Sequence, residues 1–269
     1  MKKTLFLPLF FMLLACGSQS HRLVLLHTND THSFIDSKNG IPGVVERALQ
    51  LEHVIDSIGR DNVLLLDCGD FSQGSLYYYI HHGAFEVELM NAMGYDACTI
   101  GNHELDYGVE NLAHIAGMAS FPFVCTNYDF IGTACEGVVK PYIVLERAGV
   151  RVGLFGLSPD PSGLVSNRNC AGIRFIHPVE AAKSAVEALQ KEGCDVIVCL
   201  SHLGWRGNGE YNDEFLVANT RGIDVILGGH THNFFEKPLY YSNIDGDSVI
   251  VQQMGKNGAR IGYVTLDFK

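Results

Sequence analysis

Short runs of consecutive apolar residues recur along the chain, rich in β-branched types, and each closes on a small polar cluster. They lie at 22–26, 63–66, 97–100, 121–125, 150–156, 196–200 and 224–227, and their length and composition predict strands. Helical periodicity falls between several of them. Val44, Val45, Ala48, Leu51, Val54, Ile55 and Ile58 share one helical face. Val179, Ala182, Val186 and Leu189 share another, with Pro178 suited to the first turn. Alternating strand and helix patterns predict an α/β fold with a sizeable sheet. The tail, 248–252 and then 260–268, reads as a closing hairpin around the Gly/Lys/Asn turn at 255–258. With no internal repeat or linker, residues 22–269 form one expected domain.

The first residues follow a different pattern. Met1-Lys2-Lys3 is a short positive segment, followed by an apolar run from Leu5 to Ala15 interrupted only by Pro8. A membrane-spanning helix needs about 20 apolar residues, so 1–15 reads as an export signal. It ends Leu13-Leu14-Ala15-Cys16, which resembles a bacterial lipobox. That resemblance implies cleavage before Cys16, lipid attachment to its sulfur, and a protein held at a membrane in the periplasm or cell envelope. Residues 16–21 would be a short tether.

Charge narrows the chemistry further. The formal charge is −11, with 19 basic and 30 acidic residues, and removing Lys2 and Lys3 with the leader makes it −13. Binding of a nucleic-acid polymer through a basic surface is disfavoured. An anionic substrate would need a local positive centre, which metal ions can supply. Beyond Cys16, seven cysteines remain, an odd number, and none forms a Cys-x-x-Cys. They read mostly as buried free thiols, with a Cys125–Cys135 pair left open.

The polar clusters at the strand ends are the informative part. They are His27-Thr28-Asn29-Asp30-Thr31-His32, Asp67-Cys68-Gly69-Asp70, Gly101-Asn102-His103-Glu104, Ser201-His202-Leu203-Gly204 and Gly228-Gly229-His230-Thr231-His232. Five strands thus deliver Asp, Asn or His just past their carboxyl ends, the edge where open α/β sheets bind ligands. These are hard or borderline metal donors, without a thiolate. The other histidines (His21, His27, His53, His81, His82, His114 and His177) read as surface or packed residues.

The set Asp30-x-His32, Gly69-Asp70, Gly101-Asn102-His103-Glu104, His202 and Gly229-His230-x-His232 resembles the calcineurin-like metallophosphoesterases. The sequences Leu26-His27-Thr28-Asn29-Asp30, Gly69-Asp70-Phe71-Ser72-Gln73-Gly74-Ser75 and Gly101 through Gly108 are similar to their 5′-nucleotidase branch. Ser201 stands where many superfamily members carry Gly. The resemblance implies a four-layer α/β/β/α sandwich with two divalent metal ions, of Zn, Mn or Fe type. It assigns Asp30, His32 and His232 to one ion, Asn102, His202 and His230 to the other, and Asp70 as the bridge. It further implies hydroxide attack on phosphorus, with His103 and Asp106 as a catalytic pair and Glu104 in a supporting place. Asn127 has no assigned role.

Nucleotidases of this branch usually carry a second domain that grips the substrate, and the resemblance here covers only the first. Three readings follow: a 5′-nucleotidase-like phosphomonoesterase acting on a small phosphorylated substrate; a hydrolase of cyclic phosphodiesters, nucleotide sugars or sulfur esters; or a catalytic subunit served by a separate C-terminal-domain polypeptide. Trp205 and the run Tyr77-Tyr78-Tyr79 are the aromatics to weigh as local substitutes for base stacking, against plain packing.

Overall fold

The computed structural model describes residues 21–207 and 209–268. The expected export signal, Cys16 and the tether up to residue 20 lie outside the described residues.

The chain opens with β1 (His21–Thr28), α1 (Val44–Ile58) and β2 (Val63–Asp67). Next come α2 (Leu76–His81), α3 (Ala84–Met93), β3 (Ala97–Thr99), α4 (Val109–Met118) and β4 (Phe123–Val124). Two short strands, β5 (Tyr128–Asp129) and β8 (Arg174–Phe175), pair with each other. Between them lies a hairpin of β6 (Tyr142–Arg147) and β7 (Val150–Leu157). The remainder runs α5 (Pro178–Lys191), β9 (Val196–Ser201), α6 (Asp213–Asn219), β10 (Val225–Gly228), β11 (Leu239–Ser242), β12 (Ser248–Gln253) and β13 (Gly262–Phe268). The first sheet has the order β13-β1-β2-β3-β4, and the second β11-β12-β10-β9-β7-β6.

The expected α/β architecture is observed, and the strand sequences explain its layering. Side chains alternate between the faces of a strand. Leu23, Leu25, Leu64 and Leu66 of the first sheet pack against Val152, Leu154, Val198 and Leu200 of the second. The intervening positions Val24, Leu26, Val63 and Leu65 turn outward onto Leu51, Val87, Leu112 and Ile115 of the helices. On the far side, Ile197, Cys199 and Ile226 meet Ala182, Val186 and Leu189 of α5. The layers therefore run helices, sheet, sheet, helices. The inner strands β2, β9 and β10 are buried on both faces and read as unbroken apolar runs, whereas the edge strands β11 and β13 alternate.

Two expectations are corrected, and the choice left open for Trp205 is decided in favour of packing. The tail is not a hairpin: β12 pairs with β10 and β11 in the second sheet, whereas β13 pairs antiparallel with β1 in the first. Residues 254–261 carry the chain from one sheet to the other. Val45 does not share the buried face of α1; it is 65% exposed, and Arg47, only 4% exposed, packs inward instead. Trp205 is a core residue, 5% exposed and edge-on to Phe235, so it offers no stacking face. The cysteines are free among the described residues. Cys125 Sγ lies 3.3 Å from Ser158 Oγ, while Cys135 Sγ donates to the Val109 carbonyl.

Candidate metal centre

The parallel registers bring the strand ends level. Thr28 lies opposite Asp67 and Asp67 opposite Cys98 in the first sheet. Leu200 lies opposite Leu227 and Gly228 opposite Gln253 in the second. The polar clusters therefore emerge along one common edge. Their backbones turn inward through left-handed conformations: φ is 49° at Asp30, 47° at His32, 53° at Asp70, 70° at His230 and 54° at His232. Asp and His tolerate that region better than most residues, though at a cost. Two glycines permit the loops to touch. A Cβ on Gly101 would meet Asp70 Oδ1 at 2.1 Å, and one on Gly229 would meet His202 Nδ1 at 2.7 Å and the Cys68 carbonyl at 2.9 Å.

The seven expected metal ligands and His103 arrive at this edge. Asp30, His32 and His232 present ligand atoms that all lie within 4.8 Å of one another, as do Asp70, His202 and His230. A third such group, His32, Asp70 and His103, overlaps both. His32 Nε2 and His232 Nε2 face each other at 3.0 Å, and His232 Nε2 is 3.3 Å from Asp30 Oδ1. His202 Nε2 is 3.0 Å from Asp70 Oδ2 and 3.8 Å from Asp30 Oδ1. Asn102 lines the same cleft, with its Oδ1 buried and without a hydrogen-bond partner. His103 Nδ1 bonds Asp106 Oδ2 at 2.9 Å.

The surrounding hydrogen bonds hold these groups in place. The Cys68 carbonyl accepts from His202 Nδ1 at 2.6 Å, which leaves Nε2 to face the carboxylates. Orientation of one imidazole nitrogen by a bond to the other is characteristic of metal-binding histidines. Asp30 accepts from the His230 backbone N–H and the Asn29 side-chain amide, and Asp70 from the His103 N–H. Glu104 is the brace: its carboxylate accepts backbone N–H groups from Asp70, Ser72 and Gly101.

A family model for calcineurin-like phosphoesterases matches residues 23–234. The chain belongs to this family. Rat 5′-nucleotidase is 29% identical over 93% of this phosphoesterase chain and 47% of its own length. A probable 5′-nucleotidase of Treponema pallidum is 33% identical over 78% of the chain and 36% of its own length. The phosphoesterase chain thus spans about half the length, or less, of these curated relatives. Among solved structures, a 5′-nucleotidase precursor from Thermus thermophilus superposes with a TM-score of 0.83 at 33% identity, covering 92% of this chain and 52% of that one. The calcineurin-like phosphoesterase YfkN of Bacillus subtilis gives 0.78 at 26% identity, covering 93% and 86%.

The phosphoesterase's electrostatics suit its donor set. Burial lowers the pKa of His230 to about 4, so its imidazole is neutral and free to donate a lone pair. Burial also works against protonating His202, yet Asp70 and Asp30 outweigh it and raise its pKa to about 10. The carboxylates around that nitrogen therefore call for positive charge, which a proton or a cation supplies. Nε2 of His202 has no well-aligned hydrogen bond. Two buried carboxylates, imidazole nitrogens and an amide oxygen aimed into one cleft fit divalent cations of the first transition row.

Sequence reasoning passed over Asp213, at the start of α6. It is 1% exposed, accepts from Ser201 Oγ beside His202, and is raised by burial to a pKa of about 7. Lys256 and Asn257 were also missed as parts of the cleft, because the turn that carries them was read as a hairpin loop. Asn127 is buried away from the cleft; its side chain closes two bonds with Ser158.

Proposed function

We propose that this phosphoesterase hydrolyses phosphoric monoesters, nucleotides foremost, in the manner of its 5′-nucleotidase relatives and with two divalent cations. The convergence of seven donors from five strand ends on one cleft, with Asp70 at the centre, supports this reading most directly. Asp30, His32 and His232 would hold one ion, Asn102, His202 and His230 the other, and Asp70 would serve both. When bound, such a pair supplies electrophilic stabilisation of phosphoryl oxygens and lowers the pKa of a water molecule.

The chain's own residues account for the other steps. Asp106 holds His103 Nδ1, leaving Nε2 as the nitrogen available to the substrate. Asp106 helps raise the pKa of His103 against the opposing effect of burial, so the imidazole can carry a proton for the leaving oxygen. Glu104 holds the Asp70 backbone N–H and the His103 N–H holds the Asp70 carboxylate, so little reorganisation accompanies substrate binding. The lipobox-like run Leu13-Leu14-Ala15-Cys16 supports an envelope lipoprotein anchored through Cys16.

The test is chemical. Protein purified without added metal is examined by elemental analysis, then assayed with Mn²⁺ or Zn²⁺ against AMP, UDP-glucose, cyclic AMP and p-nitrophenyl phosphate. The expected result is two bound ions per chain, with activity on AMP that chelation removes and metal restores. Undiminished hydrolysis after chelation, with no metal detectable, would refute the proposal.

A further inference from the structure

The cleft above the candidate metal centre has room for more than a phosphoryl group. It encloses about 480 Å³, within the range of sites that take whole small molecules. Phe34, Gln73, Gly74, Lys256 and Asn257 complete its wall. Lys256 is the one lysine or arginine among the described residues lining it. It stands there on a chain of charge −11. Its side chain is exposed and enters no ion pair among the described residues.

The turn that carries Lys256 is fastened on both sides. Met254 N–H donates to Asn29 Oδ1 at 2.9 Å, and Asn29 Nδ2 donates to the Gly255 carbonyl at 2.8 Å. Asn257 N–H donates to the backbone carbonyl of Asp30 at 2.7 Å. Behind the turn, Gly258 adopts φ +60° and lies so close to the buried Arg47 guanidinium that a Cβ would sit 2.0 Å from Nη1. The lysine is therefore mounted on a rigid support joined to the very loop that bears Asp30 and His32.

We propose that Lys256 is a specificity-determining residue whose ammonium binds a second phosphoryl group of the substrate, one attached beyond the phosphorus under attack. Charge is the reason. Ions at the centre would balance the scissile phosphoryl, but a further phosphate on the leaving-group side would face an acidic protein unless a cation stood at the lip. A lysine is suited to that task, as a point charge on a flexible stem. The inference rests on the hydrolase reading above and deepens it.

The experiment compares the purified chain with its K256Q, K256E and K256R variants. Steady-state rates are measured with ADP and with p-nitrophenyl phosphate, and calorimetry measures binding of inorganic diphosphate and inorganic phosphate. The ratio of kcat/KM for ADP to that for p-nitrophenyl phosphate should fall about tenfold in K256Q, a magnitude typical of a hydrogen bond to a charged group. The loss should lie in KM, deepen in K256E, recover in K256R, and shrink at high salt. The Kd for diphosphate should rise in parallel, relative to that for phosphate. An unchanged ratio and an unchanged diphosphate Kd in both K256Q and K256E would overturn the assignment. Failure of the parent chain to hydrolyse p-nitrophenyl phosphate or ADP would sink the hydrolase reading instead, and calorimetry would still decide the role of Lys256.

Discussion

The two sheets bring unlike chemistry to their common edge. The first contributes Asp30, His32, Asp70, Asn102 and His103, and with them both site carboxylates. The second contributes His202, His230 and His232, imidazoles alone. In the proposed pairing neither edge suffices alone: Asp30 and His32 meet His232 from across the sandwich, and Asp70 meets His202 and His230, whereas only His32, Asp70 and His103 group within one edge. The apolar layer between the sheets is thus also what assembles the site. Leu200 and Leu227 belong to that layer and end one or two residues short of His202 and His230.

The acidic side should be the more sensitive. Asp70→Asn removes the charge proposed to serve both ions, and the expected outcome is loss of nearly all activity. Metal affinity should drop by more than about 100-fold, beyond what changes outside the ligand set usually cost. Elemental analysis and rate measurement on the same preparation check this. A variant with normal metal and half the parent rate would show that the two sheets do not meet through Asp70.

His103→Asn tests a first-sheet residue given a proton-handling part and no metal. The rate should fall by roughly 10²–10⁴-fold, the range for a general acid, with both metals retained. Loss of a metal equivalent would move His103 into the ligand set, where its proximity to His32 and Asp70 already permits it.

His27 sharpens the comparison from the other direction. It is as fully buried as His202, yet its partner is the neutral Gln252 at 3.1 Å and not a carboxylate. Burial lowers its pKa to about 4 from a usual 6.5. As pH falls through that window, the unfolded chain takes up a proton that the native chain refuses, so stability declines with falling pH. Above the usual value neither state is protonated, and below the native one both are. The decline amounts to roughly 3 kcal/mol across the window. His27→Gln should remove it, which urea midpoints at neutral and acidic pH would show. Equal acid sensitivity in parent and variant would contradict the assignment.

Much of this was legible in the chain because the informative residues sit at strand ends. A short apolar run marks its own terminus, so Asp30, Asp70, Asn102, His202 and His230 could be placed on one edge before any contact was known. What could not be read was partnership. The segments 248–253 and 262–268 look like strands separately, but which strand lies beside each depends on packing far away in sequence. The loop of eight residues between them exceeds the usual hairpin length, a warning that was available. Val45 failed for a related reason. Periodicity gives an apolar arc, and the helix buried only the part that includes Val44 and Leu51, together with Arg47. Asp213 was invisible because nothing local distinguishes it from an ordinary acidic residue in a helix's first turn.

The left-handed backbone at Asp30, His32, Asp70, His230 and His232 carries a consequence for anyone evolving this protein. Glycine would relieve the backbone by about 1 kcal/mol at each, but at Asp30 and Asp70 it would strand the N–H groups of His230 and His103, so the histidines are the positions where relief prevails. A screen that rewards heat resistance alone would therefore collect substitutions at the residues the chemistry needs, and its most robust winners would be inert. Selection for thermotolerance here has to be run with turnover as a second criterion.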